Sequence, residues 1–283
     1  MKNIEDIISK NKDEWEKNVE SGDQYTIPWL NLDKNSLNEY AEGKLSGFDK
    51  QSGKIDIPII KKIRKILYGN LKGKKVLCLA SGGGQQSAIF SLLGADVTVV
   101  DITQGQLNGD IKAAEHYGYK IETILCSMTD LSVFSDESFD IVFQPISIVF
   151  VPDVMPVYKE VYRVIKPNGI YTVGHMNPAT FPIDLENDID GWDGIGYRIA
   201  SPYIGGALRI DENGKENMIT GEIDGEFRHL LIDIFCKLTE VGFNIKYVYE
   251  DERNLIKYEY PIDKEYEEGF SIVQRYFDVL SIK

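Results

Sequence analysis

The sequence contains little cysteine and histidine, with three of each among its 283 residues. Cys78, Cys126 and Cys236 lie far apart in apolar segments. Such spacing is typical of buried, reduced thiols rather than of a disulfide framework or a paired-cysteine metal site. We therefore expect no bound metal, and only three side chains can serve as an imidazole base.

Long hydrophobic runs are also absent. The most apolar stretches are residues 141–143 and 146–151. Gln144 and Pro145 separate them and Pro152 ends the second, so both fall far short of the roughly 20 residues that span a membrane. The N-terminal segment is charged and lacks the apolar core of a secretory signal. These features predict a cytoplasmic protein without membrane insertion.

Positive charge is scarce, because 31 lysines and arginines face 45 aspartates and glutamates, for a formal net charge of −14. This charge repels nucleic-acid phosphates. The densest basic group, around residues 61–65 and 72–75, has the spacing of a solvated helix face followed by a turn. We therefore expect no nucleic-acid partner. With 43% hydrophobic residues, the chain has enough apolar surface for one large domain.

Residues 73–175 alternate short apolar runs with helical patterns, which is typical of an α/β fold with a parallel sheet. The predicted strands of this part are residues 75–80, 97–101, 121–126, 139–144 and 170–175. The predicted helices are residues 85–93, a polar helix ending near Tyr117, and residues 154–165, ended by Pro167 and Gly169. A helix at residues 226–241 and strands at 243–249 and 275–282 follow.

We divide the chain into four parts on this basis. Residues 1–72 form an N-terminal segment with two or three helices that is expected to cover the cofactor, residues 73–176 form the core, and residues 226–283 complete the core. Residues 177–225 are rich in Pro, Gly, Asp and aromatic residues and lack clear periodicity. Long irregular segments are usually lids or binding loops, so we expect this part, together with residues 25–29, to cover the site where a substrate binds.

The first candidate binding residues follow the first two strands, since ligands of parallel sheets bind beyond the carboxyl ends of the strands. Residues 80–84 read Ala-Ser-Gly-Gly-Gly, which lets a ligand approach the backbone at a helix N-terminus. Asp101 ends the second strand, where its carboxylate can accept hydrogen bonds from both hydroxyls of a ribose. Alternatively, Asp101 caps the helix that begins near Thr103.

The next two turns complete the candidate site. Met128 after the third strand can lie against an adenine ring, while Asp130 accepts from its exocyclic amine. The alternative for these two residues is a capped turn with a buried methionine. Gln144, at the end of the fourth strand, offers a neutral hydrogen-bonding side chain beside the group that is transferred.

These motifs resemble a known family. The runs VLCLASGGGQQ, GADVTVVDIT and YKEVYRVIKPNGIY are similar to bacterial class I methyltransferases of the ubiquinone/menaquinone-biosynthesis-like superfamily, which use S-adenosylmethionine (SAM). YTIPW and RHLLIDIFCKLTEVGFNI extend the resemblance to one branch of it. The resemblance implies a Rossmann-like, seven-stranded, mostly parallel sheet with a terminal antiparallel hairpin. It also implies SAM as the cofactor and S-adenosylhomocysteine (SAH) as the product.

The resemblance places thirteen residues around SAM, counted from the motifs of this sequence. They are Tyr25, Ala80, Ser81, Gly82, Gly84, Asp101, Ile102, Gln106, Ser127, Met128, Asp130, Gln144 and Pro145. Three positions depart from the family pattern. Ala80 stands where a glycine is usual, Cys78 where an acidic residue is frequent, and Gln144 where close relatives often have a histidine.

On the acceptor side, we expect contacts from Trp192, Tyr197 and Tyr203 in the irregular segment. His175 and His229 are the candidate catalytic residues, since one ends a strand and the other opens a helix at the ligand edge, whereas His116 lies on a polar helix face. Methyl transfer is an in-line displacement, so a base is needed only for an acceptor that is protonated.

We expect a small-molecule acceptor that offers a nitrogen, oxygen or sulfur atom, and we leave a homodimer open. Two other functions share part of the motif set. An NAD(P)-dependent oxidoreductase would use Gly82-x-Gly84 and Asp101, but the third small position falls at Ser87 and the later turns remain unexplained. A SAM-binding regulator or scaffold without turnover would show the same binding motifs.

Overall fold

The structure is a computed structural model that describes residues 4–42, 44, 71–180, 207–210, 216–219, 226–250 and 276–283. Trp192, Tyr197 and Tyr203, with most of the predicted lid, lie outside these ranges. The described part of that segment includes an antiparallel pair of short strands, β6 (Ala207–Ile210) and β7 (Glu216–Ile219), separate from the main sheet.

Seven strands form the main sheet. They are β1 (Lys75–Leu79), β2 (Asp96–Asp101), β3 (Glu122–Leu125), β4 (Phe139–Gln144), β5 (Ile165–Met176), β8 (Asn244–Glu250) and β9 (Tyr276–Ile282). Their order is β3-β2-β1-β4-β5-β9-β8. The first five strands are parallel, and β9 runs antiparallel to both neighbours. The predicted sheet with a terminal antiparallel pair is therefore confirmed.

Helices cover both faces of the sheet. They are α1 (Ile4–Ser21), α2 (Lys34–Ala41), α3 (Gln86–Leu92), α4 (Gln104–Tyr117), α5 (Met155–Val164) and α6 (Lys237–Val241). Alternate residues of β1 enter opposite cores: Val76 packs with α2, α3 and α4, while Leu77 packs with α5 and α6. None of the described helices has the length and apolar character needed to cross a membrane.

The start of β5 differs from the prediction. Pro167 and Gly169 were expected to separate a helix from a strand that begins at residue 170, yet β5 already begins at Ile165. Ile165 pairs with Phe139 of β4, and the register then shifts before Ile170 pairs with Ile141. Asn168, with φ of 62°, lies within this irregular stretch. A bulge of this kind accommodates Pro167, which cannot donate a backbone hydrogen bond.

The helix predicted at residues 226–241 begins five residues late, at Leu231, and its first turn, Ile232–Cys236, is π-helical. The residues before it are instead bound to the segment after β4. The Phe227 amide donates to the Val149 carbonyl oxygen (2.6 Å), and His229 Nε2 lies 3.2 Å from the Ile148 carbonyl oxygen. These long-range bonds hold residues 226–229 in a non-helical path that the amphipathic pattern does not reveal.

Candidate active site

A cleft of about 590 Å³ opens at the carboxyl ends of β1, β2 and β4. The loops after these strands, the N-terminal segment and the start of β9 line it. The lining residues are Glu14, Trp15, Asn18, Asp23, Tyr25, Ala80, Ser81, Gly82, Gln85, Gln86, Asp101, Ile102, Gln106, Cys126, Met128, Pro145, Ile146, Ser147, Phe150, Glu226 and Tyr276. Nine of the predicted cofactor residues therefore share one cleft, at the position expected for an open parallel sheet.

The glycine turn after β1 is tightly folded. Ala80 adopts φ of 45°, a left-handed conformation that favours glycine. Gly82 packs so closely on β2 and α4 that a Cβ there would lie 2.9 Å from Asp101 Oδ2 and would collide with Gln106. The alanine at the usual glycine position is thus accommodated at the cost of backbone strain, while Gly82 admits no side chain.

The amides of the turn are satisfied within the protein. The Gly82 amide donates to Asp101 Oδ2 (3.0 Å), and those of Gly83 and Gly84 donate to the two carboxylate oxygens of Asp110 (3.1 Å each). These three amides are therefore not donors for a ligand. A diphosphate at this turn would find these amides occupied and the Asp101 carboxylate on the cleft wall, which argues against the nicotinamide-dependent alternative.

Asp101 is buried at the edge of the cleft. Besides the Gly82 amide, it accepts from the Thr103 amide (3.0 Å) and hydroxyl (2.9 Å) through Oδ1. Thr103 is itself the N-cap residue of α4, so Asp101 holds the residue before the helix and is not the helix cap that the alternative interpretation expected. A carboxylate has about four acceptor sites, so three internal donors leave one for a ligand hydroxyl, not the two expected. Desolvation raises the pKa of Asp101, and its hydrogen bonds oppose that rise.

The turn after β3 supplies Met128 and also Cys126, which the sequence analysis did not select. Burial raises the pKa of the Cys126 thiol to about 11, so the group is neutral. Ser127 and Asp130 were expected at the cofactor but do not line the cleft. Asp130 is exposed and caps the next turn, accepting from the Ser132 amide (3.0 Å), and hydrogen bonds to Ser132 lower its pKa. The local capping alternative therefore describes Asp130 better.

Gln144 lies behind the cleft wall, in contrast to the expectation that it faces the transferred group. Its side chain is fully buried and accepts from the Tyr171 hydroxyl (2.6 Å). Its amide nitrogen donates to Ser147 Oγ (3.1 Å) and Met128 Sδ (3.3 Å), two groups on the cleft wall. Gln144 therefore connects β5 to the turns after β3 and β4 and fixes their spacing.

We expect Tyr171→Phe to cost about 1–3 kcal/mol of unfolding free energy, because it leaves the buried Gln144 carbonyl oxygen without its donor. Urea denaturation measures this loss. Tyr158→Phe is the matched control, since its equally buried hydroxyl lies at a longer 3.5 Å from His175 Nε2. Equal losses in the two variants would contradict the role assigned to Gln144.

Helix α1, in the N-terminal segment expected to cover the cofactor, forms a wall of the cleft with Glu14, Trp15 and Asn18, which the sequence analysis did not select. Asn11 Nδ2 donates to the Phe150 carbonyl oxygen (2.9 Å), and the Trp15 ring meets the Phe150 ring edge-on at 5.5 Å. On the opposite side, Glu16 accepts from the Gln104 amide (3.0 Å) at the start of α4. The helix thus bridges the loops after β2 and β4. The spacing of Asn11, Trp15 and Asn18 fits one helix face, but nothing local shows what that face contacts.

The segment between α1 and α2 borders the cleft, and its Tyr25 lines the cleft as predicted. Gln85 Nε2 donates to the carbonyl oxygens of Gln24 (2.9 Å) and Ile27 (3.0 Å), and the Trp29 amide donates to that of Gly84 (3.2 Å). Tyr25 lines the cleft with 61% of its surface exposed. The segment is therefore fixed to the glycine turn while its tyrosine remains accessible.

Neither candidate catalytic histidine lies on the described cleft wall. His175 is 1% exposed and stacks on Phe277 (5.5 Å), and burial lowers its pKa to about 3. His229 is also buried beside the Ile148 carbonyl oxygen, and desolvation lowers its pKa. Both imidazoles are enclosed by protein, and their lowered pKa makes them weak proton acceptors, which weighs against a role as the base. His116 is exposed, as expected.

Comparisons with known proteins agree with this geometry. Residues 77–173 match the model of a methyltransferase domain. The uncharacterized methyltransferase YbaJ of Bacillus subtilis is 36% identical over 254 residues, which cover 90% of this chain and 94% of that protein. The match to YbaJ therefore extends beyond the core into the N- and C-terminal parts.

Solved structures share the fold. A putative SAM-dependent methyltransferase from Listeria monocytogenes superposes with a TM-score of 0.58 at 16% identity, over 79% of this chain and 95% of its own. The 1,6-didemethyltoxoflavin-N1-methyltransferase of Burkholderia thailandensis, solved with 1,6-didemethyltoxoflavin and SAH bound, gives 0.57 at 12% identity, over 100% and 91%. Taken with the sheet order and the cleft, the nearly full-length match to YbaJ shows that this chain belongs to the methyltransferase-domain family.

Proposed function

We propose that the protein transfers the methyl group of SAM to a nitrogen, oxygen or sulfur atom of a small molecule bound in the cleft beneath α1. The observation that carries the proposal is the bridge that α1 makes across the cleft, with Glu16 at the start of α4 and Asn11 at Phe150. A small molecule fits under such a bridge, whereas a nucleic-acid strand needs an open groove with positive charge.

SAM is proposed to lie between the glycine turn, Asp101 and Met128. Gly82 lets the turn pack closely on Asp101 and Gln106, two residues of the cleft wall, and Asp101 retains one acceptor site for a ribose hydroxyl. Met128 offers a polarizable surface to adenine. SAM bears positive charge on its sulfonium and amine, and neighbouring buried carboxylates stabilise that charge. The residues present therefore fit the cofactor.

The acceptor end is formed by Trp15, Ile146, Phe150 and Glu226, together with Tyr276 at the start of β9. The cleft wall, as far as the described residues form it, carries the carboxylates of Glu14, Asp23, Asp101 and Glu226 and no lysine, arginine or histidine. An anionic acceptor would meet charge of its own sign there. We therefore propose a neutral or cationic acceptor, held chiefly by aromatic surfaces.

SAM supplies an electrophilic methyl group, and the protein's contribution is alignment and exclusion of water. Ser147 and Pro145 hold the wall beside the reacting atoms, with Ser147 fixed by Gln144. Trp15 and Phe150 shield that region from above. With no imidazole on the described wall, an acceptor whose nucleophilic atom is already unprotonated reacts most readily.

The test incubates the full chain with SAM and a panel of small amines, phenols and thiols, each paired with a carboxylated or phosphorylated analogue. SAH release and the product masses are measured. We expect turnover with some uncharged or cationic members and little with their anionic partners. Turnover confined to nucleic acids or proteins would overturn the proposal, and preference for the anionic analogues would overturn its charge assignment.

A further inference from the structure

Asp110, on the face of α4 that meets the glycine turn, is a buried carboxylate that the binding motifs did not identify. It is fully buried and does not line the cleft. Its two oxygens accept from the Gly83 and Gly84 amides at 3.1 Å, and Oδ1 also accepts from the Ser87 hydroxyl on α3. One side chain therefore fixes both the turn and the helix that follows it.

The turn also rests directly on the backbone of α4. A Cβ on Gly84 would collide with the Gly109 carbonyl oxygen, and a Cβ on Gly109 would lie 2.9 Å from the Gly83 backbone. The Gly83 amide additionally donates to the Gln106 carbonyl oxygen (2.9 Å). No side chain intervenes at this contact, so small movements of α4 pass directly to the turn.

We propose that Asp110 is a positioning residue for SAM, which sets the shape of the cofactor turn from behind without touching the cofactor. Asp110 lies behind the turn and accepts from the Gly83 and Gly84 amides. Asp101 lies on the cleft side and accepts from the Gly82 amide. The turn is thereby held in its binding shape before SAM arrives, which reduces the ordering cost of binding. The inference rests on the proposed seat of SAM at this turn.

The surroundings of Asp110 add a pH dependence. Asp101 on β2, Cys78 on β1 and Tyr119 after α4 are the titratable groups whose charges interact with it. Burial raises the pKa of Asp110 to about 7. SAM carries one more positive charge than SAH, so its binding favours the ionised carboxylate. The affinity for SAM should therefore rise with pH through about 7, by a larger factor than the affinity for SAH.

The experiment measures SAM and SAH affinities by calorimetry from pH 6 to 8 for the wild type, Asp110→Asn, Gly82→Ala and Glu115→Gln. Asn retains the size of Asp110 but places an N–H group against one of the turn amides. We expect Asp110→Asn to weaken binding about tenfold and to remove the difference in pH dependence between the two ligands. Glu115→Gln makes the same chemical change on the exposed face of α4 and should bind as the wild type does.

Gly82→Ala distinguishes an error in the proposed binding position of SAM from an error in the proposed role of Asp110. If Gly82→Ala and Asp110→Asn both bind normally, the proposed seat of SAM is wrong. If only Asp110→Asn binds with wild-type affinity and pH profile, the positioning role is wrong. Should Asp110→Asn fail to fold, amide hydrogen exchange of the ligand-free wild type decides. Slow exchange at Gly83 and Gly84 supports the role, and exchange as fast as in exposed loops overturns it.

Discussion

Replacing Asp101 by alanine is expected to weaken SAM binding about 100-fold, which corresponds to about 2.7 kcal/mol. The variant removes the charge-assisted hydrogen bond that we propose Asp101 makes to the ribose, worth about 1.5–3 kcal/mol. It also removes the acceptor for the Gly82 amide and the Thr103 amide, so the glycine turn loosens at its closest approach to the cofactor. Titration calorimetry with SAM and with SAH measures the change, and both ligands should lose affinity alike.

Asp96→Ala is the matched control, because Asp96 is an exposed aspartate at the opposite end of the same strand. It should bind both ligands with wild-type affinity. A loss below about threefold in Asp101→Ala would mean that the ribose does not rest on this carboxylate. A similar loss in both variants would point to general destabilisation of β2 instead.

The order of strands and helices in the core could be predicted because its signals are local. Short apolar runs end at glycine or aspartate, and Gly94 and Gly242 both adopt positive φ directly after their helices, at 94° and 117°. The five core strands occur within a few residues of their predicted positions, apart from the early start of β5. A parallel sheet then places the turns at one edge, which is why the glycine turn and Asp101 were found together.

The errors concern contacts between residues that are distant in sequence. Gln144 lies at the end of β4, as predicted, but its side chain accepts from the Tyr171 hydroxyl and is buried behind the cleft wall. His175 ends near the ligand edge, yet strand alternation turns it onto Phe277 and not into the cleft. Period and spacing give a residue's place along an element, whereas the partner that orients its side chain lies elsewhere in the chain.

The cofactor turn shows a second limit of sequence analysis. A glycine-rich turn before a helix is usually taken as a set of donors for a ligand, and the motif alone does not reveal competing acceptors. Here Asp110, 26 residues after Gly84, occupies two of those donors. In the sequence it is one polar residue in a polar helix, and only its complete burial distinguishes it. Burial of a carboxylate among backbone amides is thus the structural signal that separates this turn from a phosphate site.

Gly84→Ala is expected to be the most damaging of the glycine substitutions, at about 2–4 kcal/mol of unfolding free energy. Gly84 has φ of 75°, and an added Cβ would collide with the backbone of Gly109, which cannot move aside as a flexible side chain can. The left-handed conformation contributes about 1 kcal/mol, and overpacking adds about 1–3 kcal/mol. Urea denaturation measures the loss, and SAM affinity should fall with it because the turn must shift away from α4.

Gly118→Ala isolates the conformational part of this effect. Gly118, at the end of α4, has nearly the same φ of 74°, but no atom lies within 4 Å of a Cβ built there. This variant should lose only about 1 kcal/mol and keep wild-type affinity for SAM, since strain without collision is its only cost. The difference between the two variants therefore measures how closely the cofactor turn packs on α4. If both lose the same amount, the turn does not rest on the helix backbone, and the positioning role of Asp110 loses its structural basis.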